Sequence, residues 1–224
     1  MATSYLTEFI GLAAVHFLAV VSPGPDFAVI VSQSVRNGRR TGLFTALGIG
    51  CSISVHVAYT LLGMGALMHA SDTWALAARV LGGAYLLYLA IHLLRAKPAS
   101  PQTDTSVSAV AQTPPSAGKA FTTGFLTNAT NPKATLFFLA IFTTLVSSNT
   151  PLPVQALYGA WMCAATAGWF ALVSLLFSQA RVRAGFVRIG HWFERLMGVI
   201  LAVFAARLLL SSKSLLAVLE TMGR

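Results

Sequence analysis

Val20-Val21-Ser22-Pro23-Gly24-Pro25-Asp26-Phe27-Ala28-Val29-Ile30 breaks an apolar run with two prolines, a glycine and an acid. Proline lacks an N–H and clashes with the turn before it, so a helix entering this stretch ends and restarts. Ser22 is a good N-cap residue, which places Pro23 at the first position of a new half-helix. The same punctuation returns at Thr130-Asn131-Pro132-Lys133, where Asn131 is the cap and Pro132 opens the helix. Two proline breaks inside long apolar segments are the feature around which the chain is organised.

Outward from the breaks, the apolar segments run over 5–35, 41–68, 74–94, 120–148, 153–177 and 192–210. Each is long enough for a membrane helix, which needs roughly 20 residues. The 224 residues are 56% hydrophobic and 9% charged, too little polar surface for a water-soluble globule. The expected fold is therefore an all-α membrane protein of six transmembrane helices in a single domain, 1–224. The net charge of +9 is an imbalance within a small charged set and is no argument for nucleic acid.

The charges instead report sidedness. Arg36, Arg39 and Arg40 fill the first connection; Arg95, Lys97 and Lys119 the third; Arg181, Arg183 and Arg188 the fifth. The second connection has no Lys or Arg and the fourth has no charge. Short Lys/Arg-rich loops stay in the cytoplasm, so the odd-numbered loops read as inside and both termini as periplasmic. Arg207, Lys213 and Arg224 run against that rule but are outnumbered. The amino terminus has no basic region ahead of its apolar segment, so that segment reads as a permanent span and not a cleaved signal.

Residues 96–119 are rich in Pro, Ser, Thr, Gln and Ala and lack aromatics, and read as a flexible cytoplasmic linker. The linker divides the chain into repeat 1 (1–95) and repeat 2 (120–224). Arg79-Val80-Leu81-Gly82 with Ala90, Leu93 and Leu94 matches Arg195-Leu196-Met197-Gly198 with Ala206, Leu209 and Leu210 at identical offsets. Three spans per half require the halves to be inverted. Proline-interrupted segments at matching places in inverted halves point to a transporter's midplane binding site.

The breaks supply the chemistry. A half-helix beginning at membrane depth presents free N–H groups and a partial positive charge, a site for a carboxylate. The carbonyls that end the preceding half-helix, around Ala19–Val21, suit an ammonium, and Gly24 lets a ligand approach the backbone. A zwitterionic amino acid matches both. The candidate substrate-binding residues are Ser22, Pro23, Gly24, Pro25, Asn131, Pro132 and Lys133. Charges at membrane depth mark transport pathways or proton relays, so Asp26 is the candidate proton-coupling group. The competing readings are plain ones: Asp26 stabilising the first turn of its helix, and Lys133 reaching headgroups if 120–130 lies along the cytoplasmic interface.

His16, His56 and His92 have no metal-ligand spacing and read as hydrogen-bonded within the bundle. Gly42, Gly48, Gly50, Gly63 and Gly65, with Gly159 and Gly168, read as helix-packing positions. Tyr85, Tyr88 and Trp169 lie inside spans, as cavity lining or as aromatic packing. Cys51 and Cys163 sit ten residues into the second and fifth spans. That pairing leaves a membrane thiol–disulfide carrier as an alternative, although buried Cys usually acts as a small hydrophobe. A non-transporting component that recruits partners through 96–119 is a third. No nucleophile elbow, metal cluster or phosphate loop marks an enzyme, a cofactor or a metal site.

Taken together, Ser22-Pro23-Gly24-Pro25-Asp26 and Arg36-Asn37-Gly38-Arg39-Arg40-Thr41-Gly42 resemble the signature of LysE-type amino-acid exporters, nearest their homoserine/threonine (RhtB) branch. Gly83-Ala84-Tyr85-Leu86-Leu87-Tyr88-Leu89 and Asn131-Pro132-Lys133 match further blocks of that family, so only 96–119 falls outside the resemblance. The resemblance implies a multi-pass exporter of the bacterial inner membrane, driven by the proton gradient, whose partners are an amino acid, protons and the bilayer. Export of a basic amino acid would favour a second carboxylate in the cavity, and Glu8 and Glu194 read as lying near span ends. A neutral substrate is therefore favoured over a basic one. Whether the protein forms a homo-oligomer is left open by the sequence.

Overall fold

The computed structural model describes residues 2–70, 72–96, 114–147 and 149–210. Among them the chain is helical throughout: α1 (Ala2–Val21), α2 (Pro25–Ala70), α3 (Asp72–Leu94), α4 (Ala117–Ala129), α5 (Pro132–Leu145), α6 (Leu152–Phe177) and α7 (Ala180–Leu210). Two stretches, Pro25–Gly63 and Leu152–Phe177, are long and apolar enough to cross a membrane; Tyr5–Val21, Gly83–Leu94 and Pro132–Phe142 are shorter apolar helices.

The first apolar segment is indeed two helices, α1 and the start of α2, but the restart falls at Pro25 and not at Pro23. Ser22 N donates to Leu18 O and so still belongs to the end of α1, while Ala28 N donates to Gly24 O in the first turn of α2. Ser22 is thereby released from the cap role and its hydroxyl is free for another partner. At the second break the expectation holds. Asn131 is the N-cap, its side chain accepting from Lys133 N, and Pro132 opens α5. Other boundaries differ modestly. α4 begins at Ala117 behind an N-cap by Ser116, α5 ends at Leu145, and α7 reaches back to Ala180, taking in Arg181, Arg183 and Arg188. Most of the proposed linker, 97–113, lies outside the described residues.

α2 is itself two helices that meet at Gly38 (φ 84°, ψ 169°). Side-chain-bearing residues avoid this backbone region, and glycine supplies it. The chain doubles back here: Ser34 Oγ lies against the backbone of Gly42, eight residues on. A straight helix would hold those positions about 12 Å apart. Ser34 Oγ donates to Ser174 Oγ and Arg39 Nε to Ser178 Oγ, so this corner packs on the end of α6. At the other end of α6, Tyr158 OH donates to Tyr5 O, and Ser147 N and Thr150 Oγ1 donate to Glu8.

Helices approach through small residues, as they must where lipid removes the hydrophobic drive to associate. Gly42, Gly50 and Gly159 of α2 and α6 face Ser174, Cys163 with Ala167, and Val57, an antiparallel pairing. Gly124 meets Thr45, Gly48 meets Phe121 and Phe125, and Ser52 bonds Asn128 further on, so α4 lies lengthwise along α2 in the same direction. Gly198 of α7 sits against Ala90 and Leu94 of α3, where Arg195 Nε also donates to Ala96 O. Gly63 and Gly168 face open space and are not packing positions. The apolar interior gathers Leu12, Ile53, Leu86, Phe138, Ile141, Met162 and Leu201. Leu62, Leu81 and Leu157 remain about two-thirds exposed or more, the surface expected of a chain solvated by lipid.

Candidate functional site

The two breaks meet. Lys133, second residue of α5, places Nζ 3.1 Å from Ser22 Oγ and 3.3 Å from Ser22 O. Asp26, in the first turn of α2, accepts at Oδ2 from Asn131 Nδ2 (3.1 Å) and from Asn128 Nδ2 (2.9 Å). Each break therefore supplies the polar partner for the charge that follows the other. The exchange has an electrostatic logic. A cation at the start of α5 opposes that helix's dipole, but its ammonium reaches the carbonyl end of α1, where positive charge is favoured. Asp26 sits at the positive end of α2, where a carboxylate is favoured.

Around these charges the hydrogen bonding is dense. Asn131 Oδ1 accepts from Lys133 N at 3.0 Å, and Tyr85 OH donates to Lys133 O at 3.4 Å. Asn128 Oδ1 accepts from Ser52 Oγ and faces His56 Nε2 at 3.2 Å; the Asn128 backbone carbonyl faces the same nitrogen at 3.0 Å. Asp26 Oδ1 is buried and, among the described residues, has no hydrogen-bond partner, as is the case for His16 Nδ1 on the same cavity. A buried orphan acceptor of this kind calls for a proton, water or ion.

Two cavities flank the breaks. The smaller, about 40 Å³, is bordered by His16, Asp26, Asn128, Phe137, Phe138 and Thr166 among others. It has room for water-sized occupants only. The larger, about 400 Å³, is bordered by Pro23, Pro25, Tyr85, Tyr88, His92 and Pro132. That is the range of small-molecule sites. Ser22, Gly24 and Lys133 border both, so the Lys133–Ser22 bond stands in the wall between them. All eight residues singled out from the sequence line one cavity or the other.

The sequence reading missed Asn128, Ser52 and Thr166. The signal for Ser52 was present. Thr41, Thr45, Ser52, His56 and Thr60 recur at intervals of four and seven along the part of α2 that follows Gly38 and are all buried, a polar stripe in an apolar helix. His16 and His56 are bonded within the bundle as expected, to Thr166 Oγ1 and to Asn128 and Tyr59. Tyr85 and Tyr88 line the larger cavity. Cys51 and Cys163 are free thiols and border neither cavity. Among the described residues no cluster of His, Cys, Asp and Glu could hold a metal ion.

A helical chain with charged proline breaks at its centre and two cavities meeting at them is built as a membrane translocator. The family model for LysE type translocators matches residues 17–212, and the chain belongs to that family of transport proteins, not enzymes. It is similar to the threonine efflux protein of Escherichia coli (strain K12), 30% identical over 206 residues, 92% of this chain and 99% of that one. The threonine efflux protein of Salmonella typhi matches to the same extent. The uncharacterized membrane protein YahN of Escherichia coli (strain K12) is 32% identical over 92% of this chain and 88% of its own. No solved structure matches the chain.

Proposed function

We propose that the protein exports neutral amino acids, or close derivatives, across the bacterial inner membrane in exchange for protons. The observation that carries this reading is the Lys133–Ser22 bond in the wall between the two cavities. Its two ends are an ammonium donor and a backbone carbonyl acceptor, the complement of a zwitterion. A substrate inserted between them gives its carboxylate to Lys133 Nζ and its ammonium to Ser22 O. Charge-assisted bonds then replace the one that is broken. Pro23, Gly24, Pro25 and Pro132 frame the larger cavity in which the substrate side chain lies. No Asp or Glu lines that cavity among the described residues, which favours a neutral side chain over a basic one. The names of the threonine efflux relatives agree with the substrate class.

Asp26 is the proton site, and Oδ1 is the atom that takes the proton, because Oδ2 is already occupied by two amide donors. Six spans as two inverted repeats of three fit the pairing of Gly198 with Ala90 and Leu94, which are repeat-motif residues from opposite halves. The bond from Arg39 to Ser178 brings the first and fifth connections together, while Glu8 and Thr150 bring the amino terminus to the fourth. That grouping supports cytoplasmic odd-numbered loops and periplasmic termini.

The test is counterflow of L-threonine and a panel of other amino acids in proteoliposomes, with and without a pH gradient. Exchange of neutral amino acids, accelerated by the gradient, is the expected result. Exchange of lysine or arginine alone, or no response to the gradient, would overturn the corresponding part of the reading.

A further inference from the structure

His56 borders neither cavity, yet it is fully buried and every polar atom of its ring is engaged. Nε2 faces two acceptors, the backbone and side-chain oxygens of Asn128, at 3.0 and 3.2 Å. That nitrogen must therefore carry the ring proton, which leaves Nδ1 to accept from Tyr59 OH at 2.7 Å. The imidazole is also stacked on Phe138, with centroids 5.4 Å apart and planes within 11°, and packed edge-on against Tyr59. Ring plane and tautomer are both determined.

The consequence falls on Asn128. An amide side chain can be turned through 180° at little steric cost, and its hydrogen-bond partners decide which way it points. Here the His56 Nε2 proton, shared with the Asn128 backbone carbonyl, faces Oδ1, and Ser52 Oγ bonds Oδ1 as well, its one proton lying also within reach of Ile49 O. Nδ2 has to point the other way, and it donates to Asp26 Oδ2. With the amide turned over, the His56 N–H would oppose Nδ2 and the Asp26 carboxylate would confront Oδ1, while Ser52 could give its proton to Ile49 O, so His56 and Asp26 are the partners that fix the amide.

We infer that His56 is a positioning residue for the proton site: through Asn128 it holds Asp26 with Oδ2 covered and Oδ1 open. The chain Tyr59–His56–Asn128–Asp26 makes the proton site depend on a side chain that touches neither substrate nor proton. This rests on the proton-antiport reading, and the two are separable in one experiment.

The wild-type protein and variants are reconstituted in proteoliposomes, and L-threonine transport is measured as pH-gradient-driven flux and as gradient-free exchange. For His56→Ala the driven flux is expected to fall roughly tenfold, the scale set by losing one buried hydrogen-bond partner. Gradient-free exchange should stay within about twofold, because the Lys133–Ser22 wall is untouched. His56→Gln, whose amide N–H reaches the same acceptor, is expected to restore most of the driven flux. In an Asn128→Ala background, His56→Ala should cost nothing further. Equal loss of driven flux and exchange in a variant that elutes as a folded species, with no rescue by Gln, would reduce His56 to a packing residue and overturn the inference. If Asp26→Asn abolishes the driven flux while His56→Ala leaves it intact, the inference fails and the antiport reading stands. If the wild type shows no gradient-driven flux, the antiport reading fails and the inference falls with it.

Discussion

Asn131 serves Asp26 and its own helix with the two ends of one amide: Nδ2 donates to Asp26 Oδ2 at 3.1 Å, while Oδ1 caps Lys133 N at 3.0 Å. The residue that starts α5 thus also holds the acid that starts α2, 105 positions earlier. A single side chain ties the two breaks together, and the two duties can be separated by substitution.

Serine at position 131 keeps an oxygen for the cap but has no second donor to reach the carboxylate. Asn131→Ser should therefore leave thermal stability close to wild type while lowering pH-gradient-driven transport. Asn131→Ala removes both and should also cost about 1 kcal/mol of stability, the usual value of an N-cap. Melting curves in detergent, paired with flux measurements, check the separation. Equal behaviour of the two variants in both assays would show that the amide has no role beyond the cap.

Lys133 and Ser22 should respond in opposite directions. Lys133→Ala removes the group offered to the substrate carboxylate, and the half-saturating substrate concentration should rise at least about tenfold, in line with a charge-assisted bond of 1.5–3 kcal/mol. Ser22→Ala keeps the backbone carbonyl and removes only the hydroxyl that bonds Lys133 Nζ. Substrate then has less to displace, and the half-saturating concentration should fall by roughly threefold. Counterflow titrations decide it. A rise in both variants would mean that Ser22 Oγ contacts substrate directly and that the wall is no latch.

How the breaks would face one another was only partly legible in the chain. Proline, an N-cap residue and a charge at each break are local facts, and they sufficed to name Asp26 and Lys133. The exact restart was not, because Ser22-Pro23-Gly24-Pro25 offers two prolines that can each occupy the first helical position. The tertiary partner decided between them, since Ser22 is taken by Lys133 from the other half. Asn128 was missed for a related reason. Among Thr122, Thr123, Thr127 and Thr130 it was one polar residue of a stretch for which an interfacial placement was a competing reading, and only the packing of Gly124 on Thr45 brings it beneath His56. Pattern along one helix does not reveal what lies across from it.

Glycines that read alike in sequence should behave differently. A Cβ at Gly48 would run into the Phe121 carbonyl and one at Gly124 into the Thr45 carbonyl, both backbone atoms with no freedom to move aside. Gly48→Ala and Gly124→Ala should each destabilise by about 1–3 kcal/mol and disturb the face that carries Ser52, His56 and Asn128. Gly63→Ala and Gly168→Ala meet open space and should be neutral or slightly stabilising, since alanine is the better helix former. Thermal unfolding of the four variants side by side is sufficient. A melting temperature for Gly48→Ala equal to that of Gly63→Ala would contradict the close approach of α4 to α2.

Cys51 and Cys163 give the remaining test of what the protein transfers. Gly50 packs against Cys163 and Ala167, so the two thiols occupy neighbouring places on the antiparallel faces of α2 and α6. A carrier of thiol–disulfide equivalents needs its pair exposed to the route that the redox partner takes. Both thiols instead lie off the two cavities, with Cys51 on the exposed side of α2 and Cys163 packed at the edge of the apolar core. Cys51→Ser combined with Cys163→Ser should therefore leave L-threonine exchange within about twofold of wild type, the small change expected of substitutions outside the binding and coupling groups. Loss of transport in the double variant, recovered when either cysteine is restored, would count against this because a single thiol cannot form the disulfide but can fill the packing site. Loss that requires both cysteines for recovery would instead reinstate the redox carrier.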